Sequence, residues 1–142
     1  MRDLAIIFGA LADPTRLEML ALLLRNDELC VCDFVETLGI SQSKASRHLR
    51  YLWNAHLLED RRAGLWVYYR ISPSMDGDRR KLVAALSKVL AGRDLTELEG
   101  RLSSWLKRKT KTIGCAASPQ GKTPAAAPPR VRKLRRAQEA RR

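Results

Sequence analysis

The sequence has 142 residues, long enough for one domain with a modest core and too short for two full domains. Its formal net charge of +12, from 27 lysine and arginine residues against 15 aspartate and glutamate residues, indicates a polyanionic partner such as DNA. The N-terminus lacks an apolar signal-peptide core, and every apolar stretch falls well short of the roughly 20 residues of a membrane span. We therefore expect a soluble, cytoplasmic protein.

The N-terminal part of the chain predicts an apolar segment followed by a helix. Residues 3–11 (DLAIIFGAL) form the apolar segment. Asp13 and Pro14 then supply a helix cap and a proline at the first helical position. The helix that they begin is expected to run to about Arg25.

Two cysteines stand one residue apart in the stretch ELCVCDF, residues 28–34. From the residues alone, Cys30 and Cys32 have three open interpretations: inert buried thiols, a ligand site for a soft metalloid ion, and redox chemistry. A disulfide between residues i and i+2 is strained, which disfavours redox chemistry unless the bond joins two subunits.

The spacing of the two cysteines also suggests a conformational switch. On a regular helix their side chains would point about 200° apart, so both reach one ion only where the chain is extended. We expect an ion that gathers the two sulfurs to unwind the first turn of a helix at 33–38. The affinity for DNA would then fall, because the helix at 33–38 supports the helix that follows it, from Ser41 to about Ala55.

Residues 33–55 have the pattern of a helix-turn-helix. The short helix 33–38 ends at Gly39, a natural left-handed terminator, and Ser41 caps a longer helix that runs to about Ala55. One face of the longer helix is expected to point inward, and it carries Ala45, Leu49, Leu52 and His56. His48 and His56 are both expected to be half-buried core histidines rather than ligands.

A β-hairpin is predicted directly after the second helix. From Leu57 the pattern becomes strand-like (LLEDRR), a turn follows at Ala63-Gly64, and the next segment, LWVYYRI, is dense in β-branched and aromatic residues. A hairpin in this position is a wing. The predicted fold class is therefore mainly α with a small β-hairpin, a winged helix-turn-helix that dimerises through its terminal helices.

The outer face of the longer helix and the wing carry the candidate DNA contacts. The predicted DNA-binding residues are Gln42, Ser43, Lys44, Ser46, Arg47, Arg50, Arg61 and Arg62. Arg50 is expected to contact phosphates, as are Arg61 and Arg62, which lie near the minor groove. The competing interpretation is a solvated helix face, which the preceding turn and the following hairpin disfavour.

Two apolar-periodic helices are predicted between residues 79 and 106, after a break at SPSMDGD. They carry more apolar surface than one small domain can cover, and with Leu4, Ile7 and Leu11 they predict a dimer surface, the alternative being ordinary core. From residue 110 the composition becomes Ala, Pro, Lys and Arg. We expect a folded domain at 1–109 and a disordered basic tail at 110–142 that strengthens nonspecific DNA binding.

Three segments in this order, ELCVCDF, SQSKASRHLRYL and GLWVYYRISP, resemble the arsenic-responsive repressors of the ArsR family over about residues 4–73. The resemblance implies a winged-helix homodimer that binds the operator of an arsenic-resistance operon. It also implies release of that DNA on binding As(III) or Sb(III), with Cys30 and Cys32 as inducer ligands and no organic cofactor.

The chain departs from the family pattern at one position. Many members carry a third cysteine three residues after the second, where this sequence has Val35. A pyramidal As(III) site takes three donors. Either Cys115 supplies the third sulfur, or two thiolates bind a methylated or aryl trivalent arsenical or share the ion with a solvent oxygen.

Other functional classes fit the residues less well. Arsenate reductases need a nucleophilic cysteine in an anion-cradling loop with a nearby arginine, and no such loop surrounds Cys30 or Cys32. We therefore expect no enzyme activity. The remaining alternatives are a winged-helix repressor that senses another soft metal or thiol oxidation, and a nonspecific DNA-binding protein driven by its basic tail.

Overall fold

A computed structural model describes the backbone of residues 1–116 and the side chains of residues 1–110. In this part of the chain the helices and strands follow one another as a mainly helical fold with a small sheet. Their bounds are α1 Arg2–Leu11, α2 Pro14–Arg25, β1 Leu29–Cys30, α3 Val31–Leu38, α4 Gln42–Asn54, β2 Leu58–Ala63, β3 Trp66–Ile71, α5 Gly77–Ala91 and α6 Thr96–Ala116.

The helix boundaries follow the local signals in the sequence. The Asp13 carboxylate accepts the backbone N–H of Arg16 at 3.0 Å, which caps α2 directly before Pro14. Gly39 ends α3 at φ +64°, and the Ser41 hydroxyl accepts the backbone N–H of Lys44 at 3.2 Å. The predicted helix-turn-helix is therefore confirmed as α3 and α4.

The sheet is antiparallel with the order β1-β3-β2. β2 and β3 form the predicted wing, and Gly64, at φ +60°, takes the left-handed position of the tight loop that joins them. The short strand β1 was not predicted, because two residues are too few to show a pattern. It pairs Cys30 with Tyr68 and thereby attaches the cysteine pair to the wing.

One hydrophobic core lies mainly among α1 to α4 and the sheet, and Val83 of α5 and Leu102 of α6 extend it. Its largest fully buried apolar side chains are Ile7, Met19, Leu20, Leu22, Leu29, Phe34, Leu49, Leu52 and Leu57. Of the described helices, none is both long and apolar enough to cross a membrane. The core holds α3 and α4 in a fixed relation to the wing.

The structure corrects the prediction for the apolar face of α1. Ile7 is completely buried in the core of its own chain, and Leu4 and Leu11 are partly buried against that core. The large apolar side chains that α1 exposes are instead Ile6 and Phe8, at 53% and 56%. A helix of ten residues can bury one stripe and still present a second.

His56 was predicted to be half-buried and is exposed. The prediction extended the inward stripe of α4 by one turn, whereas α4 ends at Asn54 and His56 lies beyond it at φ +56°. Ala45, Leu49 and Leu52 are buried as predicted.

The predicted boundary at residue 110 falls inside a helix. α6 continues through Ala116, so its last turns extend into the segment that was expected to be disordered. Residues 117–142, the remainder of the predicted basic tail, lie outside the described residues.

Arg79, in the first turn of α5, is buried and joins three elements of the fold. Its Nε donates to the carbonyl of Ala55, directly after α4, at 2.7 Å. Its terminal nitrogens bind the carboxylate of Asp3 on α1, at 2.6 Å for the shorter contact, and that of Asp76. Arg79 therefore ties the end of α4 to both α1 and α5.

Replacing Arg79→Met should lower the free energy of unfolding by about 1–3 kcal/mol, because the Ala55 carbonyl loses its donor. The half-exposed carboxylates of Asp3 and Asp76 contribute little to this loss. Urea denaturation followed by circular dichroism measures the change. Lys88→Met, an exposed position on the same helix, is the matched control and should stay within about 0.5 kcal/mol of wild type. Equal stability of the two variants would contradict the assignment.

Candidate DNA-binding surface and thiol site

The predicted DNA-binding residues of the helix-turn-helix lie together on one face of α4. All of them are exposed, and they are Gln42, Ser43, Lys44, Ser46, Arg47 and Arg50. Because the opposite face of α4 is buried in the core, the helix cannot rotate to hide these side chains. The surface combines short polar groups at the helix N-terminus with long cationic groups beside them, a composition that suits base edges and phosphates.

A polar cluster fixes α4 against α2. Arg16 donates from Nε to the Ala10 carbonyl at 2.6 Å, and its guanidinium lies 4.9 Å from the centre of the Tyr51 ring on α4. The His48 Nδ1 atom lies 3.4 Å from Arg16 and 3.7 Å from Asp13. Sequence analysis missed this role of Arg16, because its contacts with His48 and Tyr51 cross more than 30 positions of the chain.

His48, which was predicted to be half-buried, is more deeply buried than that, at 9% exposure. Burial lowers the pKa of its imidazole below the ordinary value; Asp13 opposes this shift, and the positive charges of Arg16, Lys44 and Arg47 add to it. The neutral ring is therefore favoured at pH 7, and His48 acts as a packing residue behind the exposed face of α4.

The two wing arginines have different surroundings in the structure. Arg61 and Arg62 are adjacent on β2, so their side chains point to opposite faces of the sheet. The Arg61 Nε donates to Glu28 at 3.2 Å, and the guanidinium lies 5.1 Å from the centre of the Tyr68 ring. Arg61 is thus engaged beside the cysteine segment, and Arg62 is the better wing candidate for a phosphate contact.

α4 is also joined to the wing directly. The Trp53 indole N–H donates to the Asp60 carboxylate on β2 at 2.8 Å. Arg50 lies 5.9 Å from the centre of the same Trp53 ring. The wing and the C-terminal half of α4 are therefore linked by a direct side-chain contact.

The two sulfurs of the cysteine pair are adjacent, which contradicts the predicted separation. α3 begins at Val31 rather than at residue 33, and Cys30 precedes it in extended conformation, at φ −87° and ψ 166°. Cys32 lies in the first turn, and the two Cα atoms are 5.4 Å apart, with the sulfurs joined as a disulfide. The disulfide was disfavoured as strained between residues i and i+2, but here Cys30 is extended and Cys32 lies in the first helical turn, which brings the two sulfurs together.

Asp33 organises the start of α3, a role that the sequence analysis did not assign. Its side chain is 2% exposed. One oxygen accepts the backbone N–H of Cys30 at 2.8 Å. The other accepts the indole N–H of Trp105 at 2.8 Å and the ammonium of Lys109 at 2.7 Å, both from α6. An acidic residue at the third position of a helix was a usable signal for the first of these contacts.

Lys109 reaches from α6 to the cysteine pair. Its Nζ lies 3.1 Å from the Cys30 sulfur and 5.6 and 5.7 Å from the ring centres of Trp66 and Tyr68 on β3. Burial raises the pKa of Tyr68, and the negative charges of Asp33 and Glu28 raise it further against the opposing charge of Arg61. The phenol therefore stays neutral beside the ammonium.

The donor set at this site suits a soft ion. Cys30, Cys32 and Asp33 have potential ligand atoms within 4.8 Å of one another, the one such group among the described residues. Both oxygens of Asp33 already accept hydrogen bonds, so the sulfurs are the available ligands. Thiolate sulfur favours soft metals and metalloids over hard cations. The backbone of Cys115, the predicted third ligand, belongs to the last turn of α6, and its side chain lies outside the described residues.

Known proteins match the part of the chain that carries the cysteine pair and α4. Residues 13–60 match the family described as "Bacterial regulatory protein, arsR family". The chain is 51% identical over 70 residues to the arsenic resistance transcriptional regulator ArsR1 of Pseudomonas putida, covering 49% of this chain and 55% of that protein. It is 47% identical over 77 residues to the arsenical resistance operon repressor of Escherichia coli K12, covering 54% and 66%. The match thus spans between about half and two thirds of the length of these relatives.

A solved structure extends the comparison to the fold. The homodimeric winged helix-turn-helix DNA-binding domain of Mb0332 from Mycobacterium bovis, described as a possible ArsR-family transcriptional regulator, is similar with a TM-score of 0.53 and 33% sequence identity. The match covers 62% of this chain and 78% of that one. The predicted winged helix is confirmed, and the chain belongs to the ArsR family of bacterial transcriptional regulators.

Proposed function

We propose that this chain is a DNA-binding repressor of an arsenic-resistance operon. It releases its operator when As(III), Sb(III) or a trivalent organoarsenical binds the thiols of Cys30 and Cys32. The observation that carries the proposal is the adjacency of the two sulfurs at the start of α3, the helix that precedes the exposed face of α4. The names of the Pseudomonas putida and Escherichia coli relatives support arsenic as the signal.

The DNA-binding surface of α4 supplies sequence recognition. The Ser41 hydroxyl caps the N-terminus of α4. Gln42, Lys44 and Arg47 present hydrogen-bonding groups of the kinds that read adenine and guanine in the major groove. Arg50 and Arg62 are suited to phosphates, which position the protein without reading the sequence.

A homodimer would place two copies of α4 on successive half-sites about 34 Å apart. The homodimeric Mb0332 domain supports this state. The exposed apolar side chains of Ile6 and Phe8 on α1 and Val89 on α5 are the apolar surface that the terminal helices offer to a second copy. The basic residues of 117–142 would add nonspecific, salt-sensitive affinity for DNA.

The binding chemistry requires the reduced pair, which suits a cytoplasmic protein. Two molecules of a low-molecular-weight thiol supply two electrons and two protons to the Cys30–Cys32 disulfide and leave as a disulfide. The two protein thiols then exchange with arsenous acid, As(OH)3: two As–S bonds form, two As–O bonds break, and two water molecules depart with the thiol protons. A monosubstituted arsenical, R–As(OH)2, exchanges in the same way and retains its organic group. Cys115 is a candidate third sulfur for inorganic As(III).

Arg47→Ala should weaken binding to the promoter DNA of the protein's own gene by about tenfold or more, because a lost arginine–base contact costs about 1–3 kcal/mol. Fluorescence anisotropy at fixed salt concentration measures the affinity. Lys88→Ala removes another exposed charge, from α5, and should leave the affinity close to wild type. If both variants lose affinity equally, net charge rather than the α4 surface drives binding.

The reduced protein should leave this DNA when As(III) is added, and Cys30→Ser and Cys32→Ser should each abolish the release, because each leaves only one thiol of the pair. The same anisotropy assay measures this release, first with As(III) and then with phenylarsonous acid. The Cys115→Ser variant distinguishes a two-sulfur site from a three-sulfur site. With a two-sulfur site, this variant releases DNA as wild type does with both arsenicals. With a three-sulfur site, it loses the response to As(III) and keeps the response to phenylarsonous acid.

The oxidised wild type is the control for this titration. Its cysteine pair has no thiols, so arsenic should not alter its affinity for DNA. Release of DNA from either single serine variant at the wild-type arsenic concentration would contradict the proposed sensor.

A further inference from the structure

The ammonium group of Lys109 occupies the space beside the Cys30 sulfur. It contacts that sulfur at 3.1 Å and the carboxylate of Asp33 at 2.7 Å, and the faces of Trp66 and Tyr68 enclose it. We propose that Lys109 is a built-in occupant of the inducer site, which the arsenical must displace, so that α6 is released when the signal binds. This inference rests on the proposed function.

The surroundings of Lys109 replace the water that a free ammonium would bind. Its side chain is only 11% exposed. Two hydrogen-bond acceptors and two aromatic faces compensate the loss of hydration, which is costly for an unpaired charge. The four partners come from β1, α3 and β3, whereas Lys109 itself belongs to α6. A single cation thus holds four elements together.

A bound arsenical is incompatible with this arrangement. When both sulfurs bond to one arsenic atom, that atom and its remaining substituent fill the space next to the sulfurs. The Cys30 sulfur also gives a lone pair to the new bond and becomes a poorer acceptor. Lys109 then loses its contact with Cys30, and its position between Asp33 and the two rings is crowded.

Displacement of Lys109 would reach the DNA-binding surface by two routes. Through Asp33 it loosens α6 from α3, the first helix of the helix-turn-helix. Through Tyr68 and Trp66, the displacement loosens α6 from β3 of the wing. The hydrogen bond from Trp53 to Asp60 then connects the wing to α4. Because the sulfurs are already adjacent, this release takes the place of the predicted unwinding of α3.

Thermodynamic linkage sets the expected effect of removing Lys109. If the arsenical must expel this cation, a chain without it binds the arsenical more tightly and transmits less of that binding to DNA. For the reduced full-length Lys109→Met variant we expect the Kd for arsenite to fall by about tenfold, within the usual range of coupling between sites. The fold-loss of DNA affinity caused by saturating arsenite should shrink by a similar factor.

Two independent readouts test this expectation. Quenching of tryptophan fluorescence by sodium arsenite measures binding without DNA, because Trp66 and Trp105 both border the site. Anisotropy of labelled promoter DNA, with and without saturating arsenite, measures the coupling. Lys107→Met is the matched control: it lies on α6 about 200° around the helix from Lys109 and is exposed. It should match wild type in both readouts.

Loss of Lys109 leaves the buried Asp33 carboxylate without its cation, and Lys109→Met could unfold for that reason. A thermal melt followed by circular dichroism reveals this. The double variant Asp33→Asn with Lys109→Met removes both charges and keeps an oxygen that can accept the Cys30 N–H. It should show the same gain in arsenite affinity and the same loss of coupling.

The outcomes separate this inference from the function on which it rests. Tighter arsenite binding with weaker coupling, in the single or the double variant, supports the displacement of Lys109. Wild-type affinity and wild-type coupling in a folded variant overturn it while leaving the cysteine sensor intact. If wild-type protein neither binds arsenite nor releases DNA, the proposed function fails, and this inference fails with it.

Discussion

The carboxylate of Asp33 is the contact on which the arrangement of the thiol site depends. It is buried and accepts three hydrogen bonds, from the Cys30 backbone, the Trp105 indole and the Lys109 ammonium. The first bond fixes the extended conformation of Cys30 at the start of α3, and the other two bring α6 onto the same helix. A buried ion pair of this kind contributes little net stability, because desolvation offsets the attraction. Its role is to specify which elements meet at the cysteines.

The thiol site and the DNA-binding surface share their supporting elements. α3 carries the cysteine pair at one end and leads through Gly39 into α4 at the other. β1 pairs Cys30 with Tyr68 of β3, and β3 pairs along its whole length with β2 of the wing. The cysteine pair is therefore joined to α4 through α3 and to the wing through β1 and β3.

Local signals made most of the fold predictable. Asp13, Gly39 and Ser41 mark helix ends through contacts within four residues, and the wing is marked by β-branched and aromatic residues within one short segment. The contacts of Lys109 were not predictable, because it lies 76 positions from Asp33 and pairs with it only through the packing of α6. The adjacency of the sulfurs was missed for a different reason: α3 begins two residues earlier than predicted, with Cys30 extended directly before it and Cys32 in its first turn. The separation of Arg61 and Arg62 onto opposite faces of the sheet was not anticipated, although it follows from β-strand geometry.

Whether the sulfurs of Cys30 and Cys32 hold the inducer can be measured directly. Arsenic K-edge X-ray absorption on the reduced full-length protein, loaded with one equivalent of arsenite, identifies the atoms bound to arsenic. We expect at least two sulfur neighbours in wild type and fewer in Cys32→Ser. A spectrum with oxygen neighbours alone, or one unchanged by Cys32→Ser, would contradict this expectation.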